Sequence, residues 1–330
     1  MPNISATTEV PMPKKTDMID HLHTLHSIHT HCGWDNALPP AIRIAPGERV
    51  EFDIVDASGG QLSPKSTAQD VTQFDFTCLN PVTGPVYIEG AEPGDALVVR
   101  LLHFQPSGWG WTALIPGFGL LADAFPEAAL QQWNYDPTCN MPALFGKHAK
   151  VPLKPFTGTI GVAPAEPGMH SVVPPRPVGG NMDIRDIAVG TTLYLPVEVA
   201  GALFSVGDTH AAQGDGEVCG TAIESPMIVA LQFDLIKGMH LPSPRIVTQG
   251  PVTQHLDRHG YQVTTGIGPD LMQASREAVR YMVDWLCTAQ HLNAEDAYML
   301  CSVCGDLRIS EIVDQPHWVV SFYFPRIVFE

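Results

Sequence analysis

The densest chemistry-bearing stretch of this chain is Gly207-Asp-Thr-His-Ala-Ala-Gln-Gly-Asp-Gly-Glu-Val-Cys-Gly-Thr-Ala-Ile-Glu224. It mixes carboxylates, one imidazole and turn-forming glycines, which is what a divalent cation takes as ligands. One strand is predicted to enter the stretch over residues 202–206 and another to leave it over 217–223. Asp208, His210, Asp215 and Glu217 then gather at one end of neighbouring strands. Asp208 and His210, two apart, fall on the same side of an extended segment. Asp208, His210 and Glu217 read as a metal-binding or catalytic set, because several groups converge within one loop. Asp215 reads either as a ligand or as half of an Asp-Gly turn pair.

Further candidates lie elsewhere. Gly179-Gly-Asn-Met-Asp183 offers two oxygen ligands, Asn181 and Asp183, after glycines that permit close backbone approach. The same residues also suit an ordinary turn. The tract from His21 to His31 holds five histidines, with His29 and His31 alternating on one predicted strand face. Only His31 is taken as a substrate-binding candidate, because it adjoins Trp34-Asp35-Asn36. Gly108-Trp-Gly-Trp111 provides Trp109 and Trp111, rigid apolar surfaces that either wall a pocket or pin a loop to the core. Cys219 as a nucleophile needs a base such as His210, and its neighbours Val218 and Gly220 suit a buried thiol better. Cys301-Ser-Val-Cys304 has no second ligand pair and reads as packing. Neither a Walker-type nor a Gly-x-Gly-x-x-Gly phosphate loop is present, and Gly-x-Ser-x-Gly is absent.

These residues need a scaffold, and the pattern predicts a mainly β one. Pro46-Gly47 and Pro93-Gly94 are turn signals. After them Val50, Phe52 and Ile54, then Leu97, Val99 and Leu101, alternate with the period of half-buried strands. Leu193, Leu195, Val197 and Val199 repeat the pattern. The expected fold is a β-sandwich-like antiparallel body over residues 21–240, preceded by an arm over 1–20. An α+β C-terminal portion follows over 241–330, either as a separate unit or continuous with the body. In it, Leu271, Ala274, Ala278, Met282, Trp285 and Ala289 mark an amphipathic helix capped by Asp270. Asn293 caps a second helix, and residues 309–313 and 318–324 close as strands.

Composition excludes several classes. The 330 residues are 45% hydrophobic and only 16% charged, against about 25% charged in typical domains, so the chain forms a core. The net charge of −17, from 18 Lys+Arg against 35 Asp+Glu, lacks the cations a nucleic-acid binder needs. No apolar run approaches the roughly 20 residues needed to span a bilayer, and no secretory leader is read at the start. Seven cysteines without a framework suit reduced thiols, so a cytoplasmic protein is expected.

Several blocks, taken in order, resemble the acetamidase/formamidase family. They are His31-Cys-Gly-Trp-Asp-Asn-Ala-Leu-Pro-Pro40, Asp56-Ala-Ser-Gly-Gly-Gln61, residues 80–95 from Asn-Pro-Val-Thr-Gly to Glu-Pro-Gly-Asp, Gly179-Gly-Asn-Met-Asp183, Gly201 to Glu217, and Cys219-Gly-Thr-Ala-Ile-Glu224. The resemblance runs from about His26 to Pro325. It implies a β-rich amidohydrolase that cleaves short aliphatic amides to a carboxylate and ammonia. It also implies a divalent-metal site and a homodimer or higher homo-oligomer. The family's motif acids and imidazole fall on Asp183, Asp208, His210, Glu217 and Glu224. The expected arrangement is zinc, or else calcium, held by Asp183, Asp208 and His210. Glu217 or Glu224 then serves as general base and Asn181 holds the developing oxyanion. Three other readings stay open: a different small linear or cyclic C–N substrate, a non-catalytic calcium-stiffened binding module, and a cysteine amidase using Cys219.

Overall fold

The computed structural model describes residues 22–147 and 149–330; the expected N-terminal arm lies outside them. Two six-stranded sheets face each other. The first runs in the order Leu22–Leu25, Arg49–Ile54, Met227–Ile236, Ala96–Pro106, Thr192–Pro196, Arg245–Val247. All three turn-then-strand segments read from the sequence lie in it. Gly47 and Gly94 take positive φ (96° and 93°), the conformation for which glycine is needed at those turns. Val50, Phe52 and Ile54 are buried while their neighbours are half-exposed, as period-two alternation requires.

The second sheet runs Gly179–Asn181, Phe156–Gly161, Phe204–His210, Val82–Ile88, Thr30–His31, with Ile42–Ile44 added alongside Val82–Ile88. Phe204 of this sheet meets Phe52 and Phe233 of the first, at ring separations of 5.9 and 4.8 Å. Those rings mark the middle of the sandwich core. Pairing is antiparallel except for Leu22–Leu25 on Arg49–Ile54 and Ile42–Ile44 on Val82–Ile88, which are parallel. Every residue of Phe156–Gly161 and Phe204–His210 is buried. Polar side chains on these strands therefore have little water to turn to and must satisfy one another.

At the C-terminal end, Asp270 accepts from the Gln273 N–H at 2.7 Å and starts the helix Leu271–Gln290. The helix lies on a three-stranded sheet of Tyr261–Gly268, Trp318–Pro325 and Asp306–Glu311. Asn293 caps the helix Ala294–Cys304 through the Asp296 N–H at 2.7 Å, and Cys301 and Cys304 are buried in packing. Buried residues of both helices and both large sheets form one contiguous apolar cluster.

Two local expectations are corrected. His29 lies in a 3₁₀ turn, Ser27–His29, and does not share a strand face with His31. Residues 217–223 form no strand. Glu217, Gly216 and Gly220 take positive φ, which breaks any extended run. The segment 211–224 docks instead against the helix Ala294–Cys304. Gly214 donates to the Ser302 carbonyl (2.8 Å), and Cys219 N–H to Ser302 Oγ (3.1 Å). Ser302 Oγ in turn donates to the Thr221 carbonyl (2.7 Å), and the Tyr298 hydroxyl donates to that of Val218. A Cβ at Gly214 would lie 1.8 Å from the Gly305 carbonyl oxygen, so only glycine permits this approach.

The Arg185 guanidinium closes the arrangement. It donates to both carboxylate oxygens of the fully buried Asp306, one at 2.9 Å, and stands 3.3 Å from Asp215. Removing one partner of a buried pair strands the other, at a cost of about 3–5 kcal/mol. Asp306→Asn is therefore expected to lower unfolding free energy by about that much in a denaturant titration. Arg185→Leu combined with Asp306→Leu should restore part of it. An unchanged midpoint for the single variant would refute the role given to this pair.

Candidate active site

Four acids and one imidazole meet at the end of the second sheet. The strand Phe204–His210 supplies Asp208 and His210. Asp208 itself is not extended (φ 53°), yet its Oδ1 lies 3.0 Å from His210 Nε2. Glu224 Oε2 lies 3.1 Å from the same nitrogen. The strand Gly179–Asn181 pairs with Phe156–Gly161, and the chain then turns at Asp183 (φ 49°). Glu217 is also left-handed (φ 41°). A non-glycine residue in that region costs on the order of 1–3 kcal/mol, and such outliers persist where surrounding structure enforces them, often at functional sites.

Ligand atoms of Asp183, Asp208 and His210 lie within 4.8 Å of one another, as do those of His210, Glu217 and Glu224. His210 is common to both groups. Gly158 forms the floor. Its carbonyl accepts from the Met182 and Asp183 N–H groups (3.0 and 3.2 Å). A Cβ there would come within 2.4 Å of Asp183 Oδ1, 2.7 Å of Asp208 Oδ2 and 2.8 Å of His210 Cε1.

The imidazole's protonation follows from its far side. The Gln213 amide nitrogen donates to the Asp183 carbonyl (2.8 Å), so its oxygen is the end facing His210 Nδ1 (2.9 Å). That oxygen accepts, so Nδ1 carries a hydrogen. In neutral His210, Nε2 is then a lone pair aimed at two carboxylate oxygens. The contact is favourable only if a proton or a cation stands between them. Even a proton on Nε2 serves one oxygen well. Asp208 Oδ1 takes that hydrogen bond, leaving Glu224 Oε2 buried without one. Asp183 Oδ1 is likewise buried without a partner.

Burial and mutual repulsion set the electrostatics. Asp183 is pushed up to about 7, by desolvation first and by Asp208 second. Desolvation likewise raises Glu224 to about 7; His210 opposes the rise and Asp208 adds to it. Glu217 is held well above the carboxylate range by burial and by Asp183. Burial opposes charge on His210, but Glu224 and Asp208 outweigh it and raise the imidazole well above its usual value. Asp208 goes the other way: desolvation is outweighed by His210 and by hydrogen bonds, including one from Thr159 Oγ1 at 3.1 Å.

A cavity of about 200 Å³ opens over this cluster. Asn80, Asn181, Asp208, Glu217 and Glu224 give it a polar floor, and the walls are mostly apolar. Trp111 is one wall; its indole N–H is spent on Asp56 Oδ1 (2.9 Å), so it presents only its ring. Asn181 Oδ1 accepts from Asn80 Nδ2 (2.9 Å) and lies 2.6 Å from Thr159 Oγ1, whose single hydrogen it shares with Asp208, which leaves its NH₂ as the group available to a ligand.

The structure thus brings together Asp183, Asp208, His210, Glu217, Glu224, Asn181 and Trp111. It does not bring Trp109 or His31 to the cavity. The Trp109 indole donates to Gln132 (2.8 Å), and His31 bridges the Gly33 carbonyl and Ser205 Oγ (both 2.8 Å). Asp215 serves the turn and faces Arg185. Cys219 is fully buried and its thiol is pushed up to about 11 by burial, which is unlike a nucleophile. Asn80, Gly158, Thr159 and Gln213 escaped the sequence reading. Each acts through a neighbour distant in sequence, apart from Gln213, whose place in the dense 207–224 stretch was the available signal.

Buried carboxylates about an imidazole, beneath a small and largely apolar cavity, define a hydrolase-type site. The sequence pattern of the acetamidase/formamidase family matches residues 18–172 and 167–330. A formamidase of Methylophilus methylotrophus is 28% identical over 91% of this chain and 89% of its own length. An acetamidase of Mycolicibacterium smegmatis is 29% identical over 69% of this chain and 71% of its own. The solved γ-lactamase of Delftia acidovorans superposes with a TM-score of 0.84, at 26% identity, over 92% of this chain and 90% of that one. The chain belongs to the acetamidase/formamidase family. It is an amidase, hydrolysing carbon–nitrogen bonds other than peptide bonds.

Gly158→Ala tests the floor. The added methyl collides with Asp183 and Asp208, so affinity for a divalent ion is expected to fall about 10–100-fold by equilibrium dialysis, with the fold kept by circular dichroism. Unaltered metal affinity would contradict the packing described.

Proposed function

We propose that this amidase converts short aliphatic primary amides to the carboxylate and ammonia with the help of a divalent ion, zinc, held by Asp183, Asp208 and His210. One observation carries the proposal: His210 Nε2, its tautomer set by Gln213, faces carboxylates that include two buried oxygens without partners. A donor set of one imidazole and several carboxylates fits zinc or a similar ion. Such an ion polarises a carbonyl and lowers the pKa of bound water from 15.7 to about 7.

The chain's own residues do the rest. Glu224 Oε1 is tied to the Ala222 N–H (2.7 Å), so Oε2 is the oxygen that accepts a proton from water. Glu217, on the cavity floor, returns a proton to the departing nitrogen. The Asn181 NH₂ donates to the carbonyl oxygen as charge builds on it. Fixed donors on a buried scaffold need no reorganisation during reaction, which is the larger part of their value.

Chelator treatment is expected to abolish ammonia release from acetamide and propionamide, and added zinc to restore it. His210→Ala should lose bound metal and at least about a hundredfold in rate. Full activity after complete metal removal would overturn the proposal. Activity lost to thiol alkylation but indifferent to chelator would point instead to a cysteine mechanism.

A further inference from the structure

Resting on that reading, we infer that the preferred substrate is the amide of a small apolar acid longer than acetic acid, such as butyramide or isobutyramide, and that Phe74 and Phe118 select it. The cavity is larger than formamide or acetamide requires. A water needs only about 10–15 Å³ of such space, so about 200 Å³ admits an acyl chain longer than acetyl beside the carboxamide and the attacking water.

The chemistry of the wall agrees. Phe74, Phe76, Leu79, Trp111, Ile115 and Phe118 make up most of the apolar lining. Trp111 and Thr221 have their polar atoms already used, whereas Asn80 Oδ1, also in the lining, has no partner. The Trp111 N–H goes to Asp56, and Thr221 Oγ1 both donates to the Ala113 carbonyl (2.9 Å) and accepts from its N–H (3.0 Å). A hydroxyl or amino group against the aromatic rings would lose its water and gain no partner there, which is the costly case. Polar acyl groups set against these rings are therefore disfavoured. Phe74 packs on Trp111 (ring centroids 6.0 Å apart) and is buried, whereas Phe76 and Phe118 are more than two-fifths exposed at the rim. An alkyl group entering the cavity covers those rim rings as well as itself. Phe118 also seals the rim, because the Gly220 backbone approaches so closely that a Cβ there would lie 2.5 Å from its ring.

The experiment measures kcat/KM of the zinc-loaded enzyme across acetamide, propionamide, butyramide and urea. At about fourfold per buried methylene, butyramide should exceed acetamide roughly fifteen-fold, with urea turned over more slowly than acetamide. Phe118→Ala and Phe74→Leu should each shrink the butyramide-to-acetamide ratio, with melting temperature reporting that the fold is kept. In parallel, tryptophan fluorescence of chelator-treated protein should saturate at lower butyramide than acetamide concentrations. Acetamide turned over as well as butyramide, or urea turned over as fast as acetamide, would overturn this inference while leaving the proposed amide hydrolysis intact. A complete absence of amide hydrolysis would overturn that reading, and equal binding of the two amides would then overturn this one separately.

Discussion

Four carboxyl groups are gathered around a single buried imidazole: Asp208 and Glu224 are buried, and Asp183 and Glu217 are half-buried. Desolvation raises the cost of every negative charge there, and each carboxyl raises the next. His210 is the cation that faces them, and one imidazolium cannot balance the set. The directions of the shifts express this: three acids are pushed toward neutrality, and Asp208 alone is held below its usual value, by His210 and by hydrogen bonds that outweigh its desolvation. A site so arranged is a poor home for protons alone and a good one for a small, doubly charged ion.

Holding such a cluster together needs force from outside it. Asp183, Asp208 and Glu217 all sit in left-handed backbone conformations that an isolated chain would leave. The opposing constraints are visible. Gly158 accepts two backbone N–H groups beneath Asp183, and Gln213 ties the imidazole to the Asp183 carbonyl. The helix Ala294–Cys304 grips the loop from behind through Ser302 and Tyr298. The C-terminal elements, which contribute no acid to the cluster, are therefore part of what makes the acids converge.

The cavity above combines polar groups, Asn181 and the acids, with aromatic and aliphatic side chains, among them Trp111, whose indole N–H is committed elsewhere. Trp111 illustrates the economy: by donating to Asp56 it removes its one polar group from the substrate's view and fixes the wall at the same time.

Much of this was legible in the residues as written. Period-two alternation at Val50-Phe52-Ile54 and Leu97-Val99-Leu101 specified strands because a half-buried sheet imposes that pattern locally, and Asp270 and Asn293 announced their helices because capping is a local hydrogen bond. The crowded stretch from Asp208 to Glu224 named its own acids. What the linear text could not settle was distance. Trp109 and Trp111, two residues apart, share a strand face and pack on one cluster, yet only Trp111 lines the cavity; Trp109 lies further along the strand, with its indole held by Gln132. Residues 217–223 look extended but are bent by contacts with Ser302 and Tyr298, some eighty residues away. Asn80, Gly158 and Thr159 carry no signature because their work lies in neighbours supplied by other strands. Residue types and local periodicity are properties of the chain; the meeting of Asp183 with His210, and the burial that makes the meeting matter, arise only when two sheets and a helix close around it.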